Sequence, residues 1–257
     1  MRAWLKAMLP VVGLLAHSPA RAEAPSSHWL DHSALTLAPK RLEVGLFSQS
    51  AYAINDRVQI STHPLWFFAL PQAHAKVRWA TNGCLYFSTS HSLEYPWPFL
   101  RLVTKEGTGG LLPPTDPPPQ SLLIENAGLL SARLAPGHWL TAELGFSVGP
   151  RTKTPVLLDF PFLYQRFAAL NSAIVPHAAV SANGPVDGAF DYMVYSRYSR
   201  LFLPDTPGAF AWESEVELGW SVTPRVRVGA SARAEVARFP VGLRWHWFPL
   251  ADVRIAW

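Results

Sequence analysis

The final stretch of the chain, GLRWHWFPLADVRIAW at residues 242–257, alternates between apolar and polar side chains. Its apolar positions include Trp247 and Trp257, while the other face carries Arg244 and Asp252. Successive side chains of a β-strand point to opposite sides, so a period of two residues indicates a strand whose faces meet different surroundings. The pattern therefore predicts a terminal strand with one apolar face.

The same alternation recurs along the chain and predicts an all-β fold. We count about twelve strands, in a range of roughly 10 to 14, joined by connections that alternate between short and long. Asn82-Gly83 is the strongest hairpin signal, and the proline-rich residues 93–120 form the longest connection. This arrangement predicts a single closed antiparallel transmembrane β-barrel, with short periplasmic turns and longer extracellular loops.

Two local details of the barrel are also predicted. The first strand is expected to be brief, at residues 35–37, and residues 52–56 are expected to form a turn. The hairpin of residues 212–234 is expected to close with a three-residue turn, which places Glu213 opposite Arg233.

Alternation alone does not distinguish a membrane barrel from a soluble β-protein, in which the apolar face points inward. The spacing of tryptophans favours the membrane barrel. At about 3.3 Å per residue and a tilt near 40°, Trp212 and Trp220 lie about 20 Å apart along the membrane normal, and Trp247 and Trp257 about 25 Å apart. Aromatic girdles flank an apolar band of about this height in outer-membrane barrels.

The amino-terminal residues 1–22 have the pattern of a secretory signal peptide. Arg2 and Lys6 supply a positive region, a short apolar run follows, and Ala20-Arg21-Ala22 matches the small-x-small cleavage rule. The apolar run has about ten residues, whereas a membrane helix needs about 20. The predicted organisation is a signal peptide at 1–22, a short periplasmic segment at 23–34 and the barrel at 35–257.

The net charge and the cysteine content limit the possible functions and cross-links of the chain. The formal charge of +4 falls to +1 without residues 1–22, which hold three basic residues and no acidic one. The charge therefore gives no argument for nucleic-acid binding. The single cysteine, Cys84, excludes an internal disulfide, and we expect the hydrogen-bonded barrel to supply rigidity instead.

Three segments resemble a group of uncharacterised outer-membrane β-barrel proteins of Gram-negative bacteria. They are LEVGLFSQSAYAINDRVQISTHPLWFF at 42–68, KEGTGG with LLPP at 105–114, and RFPVGLRWHWFPLADVRIAW at 238–257. The resemblance implies the fold and an outer-membrane location, without an activity. It also implies that the barrel-assembly machinery recognises the terminal strand through Val253, Ile255 and Trp257.

Strand phase gives two groups of candidate site residues. Charged side chains are predicted to line the lumen at Glu213, Glu215, Glu217, Arg225, Arg227, Arg233 and Arg244. Aromatic side chains are predicted at the membrane interface at Trp139, Trp212, Trp220, Trp245 and Trp247, with Tyr192, Tyr195 and Tyr198 in the same role. These charges are either a selectivity element or a structural network that fills the barrel. A barrel of about eight strands has room only for side chains and one of about 16 has a channel, and twelve strands fall between these sizes.

The expected function is a porin-like channel or passive transport barrel for small polar solutes, with the loop at 95–120 as its constriction. A structural or surface barrel without transport and a lipid-modifying barrel hydrolase are the alternatives. Some outer-membrane barrels of this size are lipid hydrolases with Ser and His facing the bilayer. Ser90 and His91, however, are adjacent in sequence and therefore point to opposite faces of their strand.

We predict no catalytic group, no cofactor and no metal site. The GTGG sequence at 107–110 lacks the Lys and Ser or Thr of a phosphate-binding loop, and the histidines show no metal-ligand spacing. The expected partners are outer-membrane lipids and the barrel-assembly machinery, with no nucleic acid, and the protein is expected to be a monomer.

Overall fold

The computed structural model is a closed antiparallel barrel of twelve strands, in which β1 completes the ring against β12. It describes Trp29 and residues 31–68, 70–104, 120–149, 164–240 and 242–257, without the side chains of residues 66 and 164–167. The predicted signal peptide and the Gly-rich residues 105–119 lie outside the described residues. The predicted fold class and strand number are confirmed.

The strands follow one another around the ring in chain order. They are β1 (Leu42–Gly45), β2 (Ser50–Ala53), β3 (Val58–Thr62), β4 (Gln72–Thr81), β5 (Leu85–Glu94), β6 (Leu123–Ala135), β7 (His138–Val148), β8 (Ile174–Asp187), β9 (Phe190–Arg200), β10 (Phe210–Thr223), β11 (Val226–Phe239) and β12 (Gly242–Ala256). The described parts of the longer connections contain three short helices: α1 (Pro64–Phe67), α2 (Trp97–Val103) and α3 (Tyr164–Ser172). Among the described residues, no helix has the length and hydropathy needed to cross a membrane.

The connections give the barrel two distinct ends. Those after β2, β4, β6, β8 and β10 have two to four residues, and we call this the short-turn end. The opposite end, the long-loop end, carries the connections 63–71, 95–122, 149–173 and 201–209. The connection before β12 is short at this end as well, because β11 continues to Phe239 and leaves only residues 240 and 241.

Apolar side chains cover the outside of the barrel. Leu144 on β7 and Trp245 on β12 are 71% and 72% exposed, respectively. Inward positions instead carry small, polar and charged residues, such as the buried Ser131, Glu217 and Arg254. A soluble β-barrel has the opposite distribution, so this outer surface is suited to hydrocarbon rather than to water.

The predicted interface aromatics divide between the two faces. Four of the predicted tryptophans point outward and are exposed: Trp212, Trp220, Trp245 and Trp247. Tyr198 is also outward and exposed, and Tyr192 is outward but only partly exposed. The predictions for Trp139 and Tyr195 are wrong, because both side chains are buried inside the barrel. Each residue lies an odd number of positions from the outward residues of its own strand, and strand alternation therefore turns it inward.

The first two strands differ from the prediction, although the total is correct. Residues 35–37 form no strand, and β1 begins at Leu42. The chain instead makes an additional hairpin, in which β2 includes Tyr52, a residue that was predicted to lie in a turn. One predicted strand is thus lost and one is gained. Both are short, and a strand of about four residues gives little periodic signal.

The predicted register of β10 and β11 is wrong by two residues. Glu213 pairs with Glu235, and it is Glu215 that faces Arg233. The turn contains only two residues, 224 and 225, and the pairing shifts between Ser221 and Thr223. This bulge changes which acidic side chain meets the arginine, because turn length sets the register.

Strand β12 keeps the predicted phase from end to end. Val253, Ile255 and Trp257 are on the outside, while Asp252, Arg254 and Ala256 are buried within. The barrel closes through the main chain at this point, since Leu42 and Trp257 each donate an N–H to the carbonyl oxygen of the other, at 3.2 and 2.9 Å.

Candidate functional site

A segment before the first strand crosses the interior of the barrel. Residues 31–37, which we call the N-terminal strap, contact eight strands: β3, β4, β5, β6, β7, β8, β9 and β12. The sequence placed residues 23–34 in a periplasmic segment and residues 35–37 in the barrel wall. In the structure the strap instead lies within the lumen, in the half of the barrel near the short-turn end.

One side of the strap is hydrogen-bonded to β4, β5 and β6. The Ala34 N–H donates to Ser131 Oγ at 2.8 Å, and its carbonyl oxygen accepts from Ser88 Oγ. Lys76 Nζ donates to the Leu35 carbonyl oxygen at 3.1 Å. Beneath these bonds, Ala34 and Leu35 pack with apolar side chains of the wall: Tyr86, Ala127, Leu129 and Trp139.

The other side of the strap contacts β8, β9 and β12. Ser181 Oγ donates to the His32 carbonyl oxygen at 2.5 Å, and the His32 ring stacks on Tyr195 with centroids 3.9 Å apart. The Asp31 carboxylate pairs with Arg254. Burial of Asp31 raises its pKa, but the nearby charges of Arg254, His32 and Arg227 outweigh burial and lower the pKa to about 2. Asp31 therefore stays ionised at neutral pH.

A chain of ion pairs extends from the strap into the wall. Arg227 pairs with Asp191 at 2.5 Å and with Glu217, and Arg254 reaches Glu217 at 3.4 Å and Asp252 at 3.0 Å. The guanidinium of Arg227 lies over Gly219, where there is no side chain to exclude it. These residues connect the four neighbouring strands β9, β10, β11 and β12 on the inner side of the wall.

Most of the predicted lumen charges are found inside the barrel. Glu215, Glu217 and Arg227 are buried, Glu213 and Arg233 are partly buried, and Arg233 donates to Glu215 at 2.5 and 2.9 Å. Arg244 shares the inward phase near the long-loop end and is exposed. The prediction for Arg225 is wrong, since this residue lies exposed in the turn between β10 and β11 and not in a strand.

A second polar cluster lies on β6, β7, β8 and β9. Arg197 makes a two-pronged pair with Glu125, at 3.1 and 2.5 Å, and contacts His177 Nδ1 at 3.1 Å. On the other side of the ring, Nε2 of His177 lies 3.2 Å from Glu143. Ligand atoms of Glu125, Glu143 and His177 lie within 4.8 Å of one another, a set that sequence spacing did not predict. Because the Arg197 cation already neutralises Glu125, this cluster is better suited to an internal salt bridge than to a metal ion.

Apolar side chains pack together inside the barrel at the long-loop end. Phe99, Leu100 and Val103 of α2 and the last residues of α3 form one buried cluster with inward side chains of the wall. The wall contributes Leu123, Val175, Ala211, Ala237 and Phe239. The described lumen thus holds a polar strap at one end, charged pairs along its length and an apolar cap at the other.

The sequence cluster Thr89-Ser90-His91 lies on β5. Ser90 points inward with Ser88, while Thr89 and His91 share the outer face, as alternation requires. His91 is hydrogen-bonded there to Thr89 and to Asn126 of β6. Sequence reasoning tested only the adjacent serine and therefore missed this outward group.

Sequence comparisons give no relative, since no protein-family model and no curated protein matches the chain. Solved structures of similar fold do exist. A bacterial polysaccharide outer membrane secretin matches at TM-score 0.48 and 12% identity, over 84% of this chain and 69% of that one.

Two further structures are similar at the level of the fold. A loop-deletion mutant of the outer membrane protein OmpT of Vibrio cholerae has TM-score 0.46 and 12% identity, over 82% of this chain and 63% of that one. OpdK of Pseudomonas aeruginosa, with vanillate, has TM-score 0.42 and 13% identity, over 84% and 57%. The chain therefore spans less than two thirds of these two proteins.

Proposed function

We propose that the chain is an outer-membrane β-barrel whose charged lumen conducts small polar solutes, with the N-terminal strap as its constriction. The observation that carries this proposal is the sidedness of the wall. Apolar side chains face outward on the long strands, whereas Glu215, Glu217, Arg227, Arg233 and Arg254 face inward. A membrane barrel needs this distribution, and charged side chains in a lumen tune the passage of ions and polar solutes.

The strap is held in a way that allows it to be displaced. It is joined to β3, β4, β5 and β6 by one hydrogen bond each and to β8 by two, and its Asp31 carboxylate pairs with Arg254. Each hydrogen bond is worth about 0.5–1.5 kcal/mol net. The strap can therefore leave the lumen while the strand ladders of the barrel stay intact.

Export, insertion and assembly state belong to the same proposal. The signal at residues 1–22 directs export, and the outward Val253, Ile255 and Trp257 bind the barrel-assembly machinery. The inserted protein contacts outer-membrane lipids and is a monomer.

Planar-bilayer recording tests the lumen pathway. The wild-type protein should show small conductance steps, and a variant with Asp31→Ala and Ser181→Ala, which loosens the strap at two contacts, should show larger or more frequent ones. Gln59→Ala, which removes one hydrogen bond at the far end of the strap, is the milder control. Absence of conductance in all three folded proteins would refute the pathway.

A barrel without transport is the second candidate, and the filled lumen favours it. Ion pairs, the strap and the apolar cap all lie in the described interior. The same recording separates the two functions, because a structural barrel predicts a silent bilayer whether or not the strap is loosened.

A further inference from the structure

A polar group lies on the outer, apolar face of the barrel, away from the lumen. His91 of β5 donates or accepts at both ring nitrogens: Nδ1 lies 2.7 Å from Asn126 Oδ1, and Nε2 lies 3.0 Å from Thr89 Oγ1. Trp79 of β4 donates its indole N–H to the same Thr89 oxygen at 2.8 Å. Polar side chains facing lipid are costly, so a connected set of them indicates a function more often than chance placement.

From this geometry we propose that Thr89, His91 and Asn126 form a catalytic site that hydrolyses fatty acyl esters of membrane lipids. A hydroxyl, an imidazole and an orienting group linked in this order are the components of a nucleophile activated by a general base. The site is independent of the proposed lumen pathway, because its side chains are on the opposite face of the wall.

The hydrogen bonds determine the role of each atom. The Asn126 oxygen can only accept, so His91 must donate from Nδ1, and the neutral ring then accepts at Nε2. The Thr89 hydroxyl is left as the donor to Nε2. This is the tautomer that a general base requires, and Asn126 fixes it from the neighbouring strand.

The strand register brings the group together and leaves space beside it. His91 faces Asn126 across the β5–β6 ladder, and Thr89 faces Gly128. A Cβ atom added at Gly128 would make only ordinary van der Waals contact, with the Phe87 ring at 3.8 Å, so the glycine leaves room for about a methyl group on the strand position opposite Thr89.

A β-bulge places the tryptophan. Arg78 pairs with Ser88 and Ala80 with Phe87, so Trp79 is an extra residue in β4 without a partner in the ladder. Bulges redirect side chains and occur often next to active sites. Here the bulge aims the indole N–H at Thr89, which leaves the threonine proton for His91.

The reaction balances with water as the only co-reactant. Thr89 Oγ1 attacks the ester carbonyl carbon while His91 Nε2 takes the hydroxyl proton, and the bond to the lipid alcohol breaks as His91 returns the proton to that oxygen. Water then attacks the acyl-threonine with His91 again as base. The fatty acid leaves, and the threonine hydroxyl and the neutral imidazole are restored.

The alternative is that polar side chains on this face only satisfy the hydrogen-bonding capacity of one another. Trp212, Ser196 and Ser214 do so on β9 and β10, where indole and hydroxyl groups are linked at 2.9 Å without an imidazole. The trio on β9 and β10 has hydroxyl groups but no base. We therefore expect hydrolysis to depend on the Thr89 group and not on this trio. Ser196→Ala therefore serves as a matched control for Thr89→Val.

The experiment measures fatty acid release by the purified full-length protein in mixed micelles, with phosphatidylethanolamine in one arm and lipid A in the other. We expect release in at least one arm, which identifies the lipid. Thr89→Val and His91→Gln should lower the rate by about 100-fold or more, the typical contribution of a general base. Asn126→Ala should lower it less, and Thr89→Ser should retain it.

Ser90→Ala, on the inward face of the same strand, and Ser196→Ala should match the wild type. Heat-modifiable gel mobility establishes that each variant is folded. In parallel, hexadecanesulfonyl fluoride should attach to Thr89, as mass spectrometry of the peptide would show, and the label should disappear in His91→Gln. Folded wild-type protein that releases no fatty acid from either lipid, or an equal rate in His91→Gln, would overturn the proposal.

Discussion

The guanidinium of Arg227 occupies the space above Gly219 in the lumen, where any Cβ atom would collide with it. Both residues lie on inward positions, Gly219 on β10 and Arg227 on β11, and Arg227 uses this space to reach Glu217 and Asp191. The glycine is thus required by a close approach of a charged side chain and not by its backbone angles.

The Gly219→Ala variant should therefore destabilise the barrel. The methyl group displaces the Arg227 guanidinium from its two carboxylates, and overpacking of this kind costs about 1–3 kcal/mol. Urea unfolding of the protein in micelles measures the loss. Gly128→Ala is the matched control, because its Cβ would meet no atom nearer than 3.8 Å, and an equal effect of both variants would contradict the role of Arg227.

The Trp139→Ala variant should both destabilise the protein and release the strap. Trp139 is buried beside Tyr86, with ring centroids 5.1 Å apart, and packs below Ala34 and Leu35. Removing a buried tryptophan costs about 3–5 kcal/mol, whereas the outward Trp212→Ala should cost less in detergent. Limited proteolysis near the N-terminus reports strap release, and protection equal to that of the wild type would contradict the packing argument.

Docking of the strap should weaken at acid pH. In the docked state the pKa of Asp31 falls from 3.8 to about 2, so its stabilising contribution is complete above about pH 4 and is lost as the pH falls toward 2. Strap proteolysis with an acid-active protease between pH 5 and 2 measures this change. Asp31→Asn should remove the pH dependence in that window, and a wild-type profile without change would contradict the prediction.

The Trp257→Ser variant should impair assembly in cells more than it lowers stability after refolding. The Trp257 side chain is 60% exposed, and the bonds that close the barrel to Leu42 come from its main chain. Outer-membrane fractionation measures assembly, and urea unfolding of refolded protein measures stability. Trp220→Ser, another outward tryptophan, is the control; normal insertion of Trp257→Ser would count against the terminal strand as an assembly signal.

The sequence-based predictions failed in short strands, beside a bulge, and where residue type was preferred to strand phase. Alternation over ten or more residues correctly turned Trp212 and Trp247 outward, and Glu215 and Glu217 inward. The brief β1 and β2 gave too little signal, and the bulge near Thr223 shifted the partner of Arg233. Trp139 was misplaced because residue type outweighed the phase of its own strand.

The sequence by itself determined the antiparallel barrel class and the face of most wall residues, because the period of two is a local property that each strand carries alone. Only the tertiary structure placed the N-terminal strap, whose residues have no period and whose pair from Asp31 to Arg254 spans 223 positions. It alone also joined His91 to Asn126, 35 residues away. Contacts of this kind depend on register and curvature, which are set when the whole ring closes.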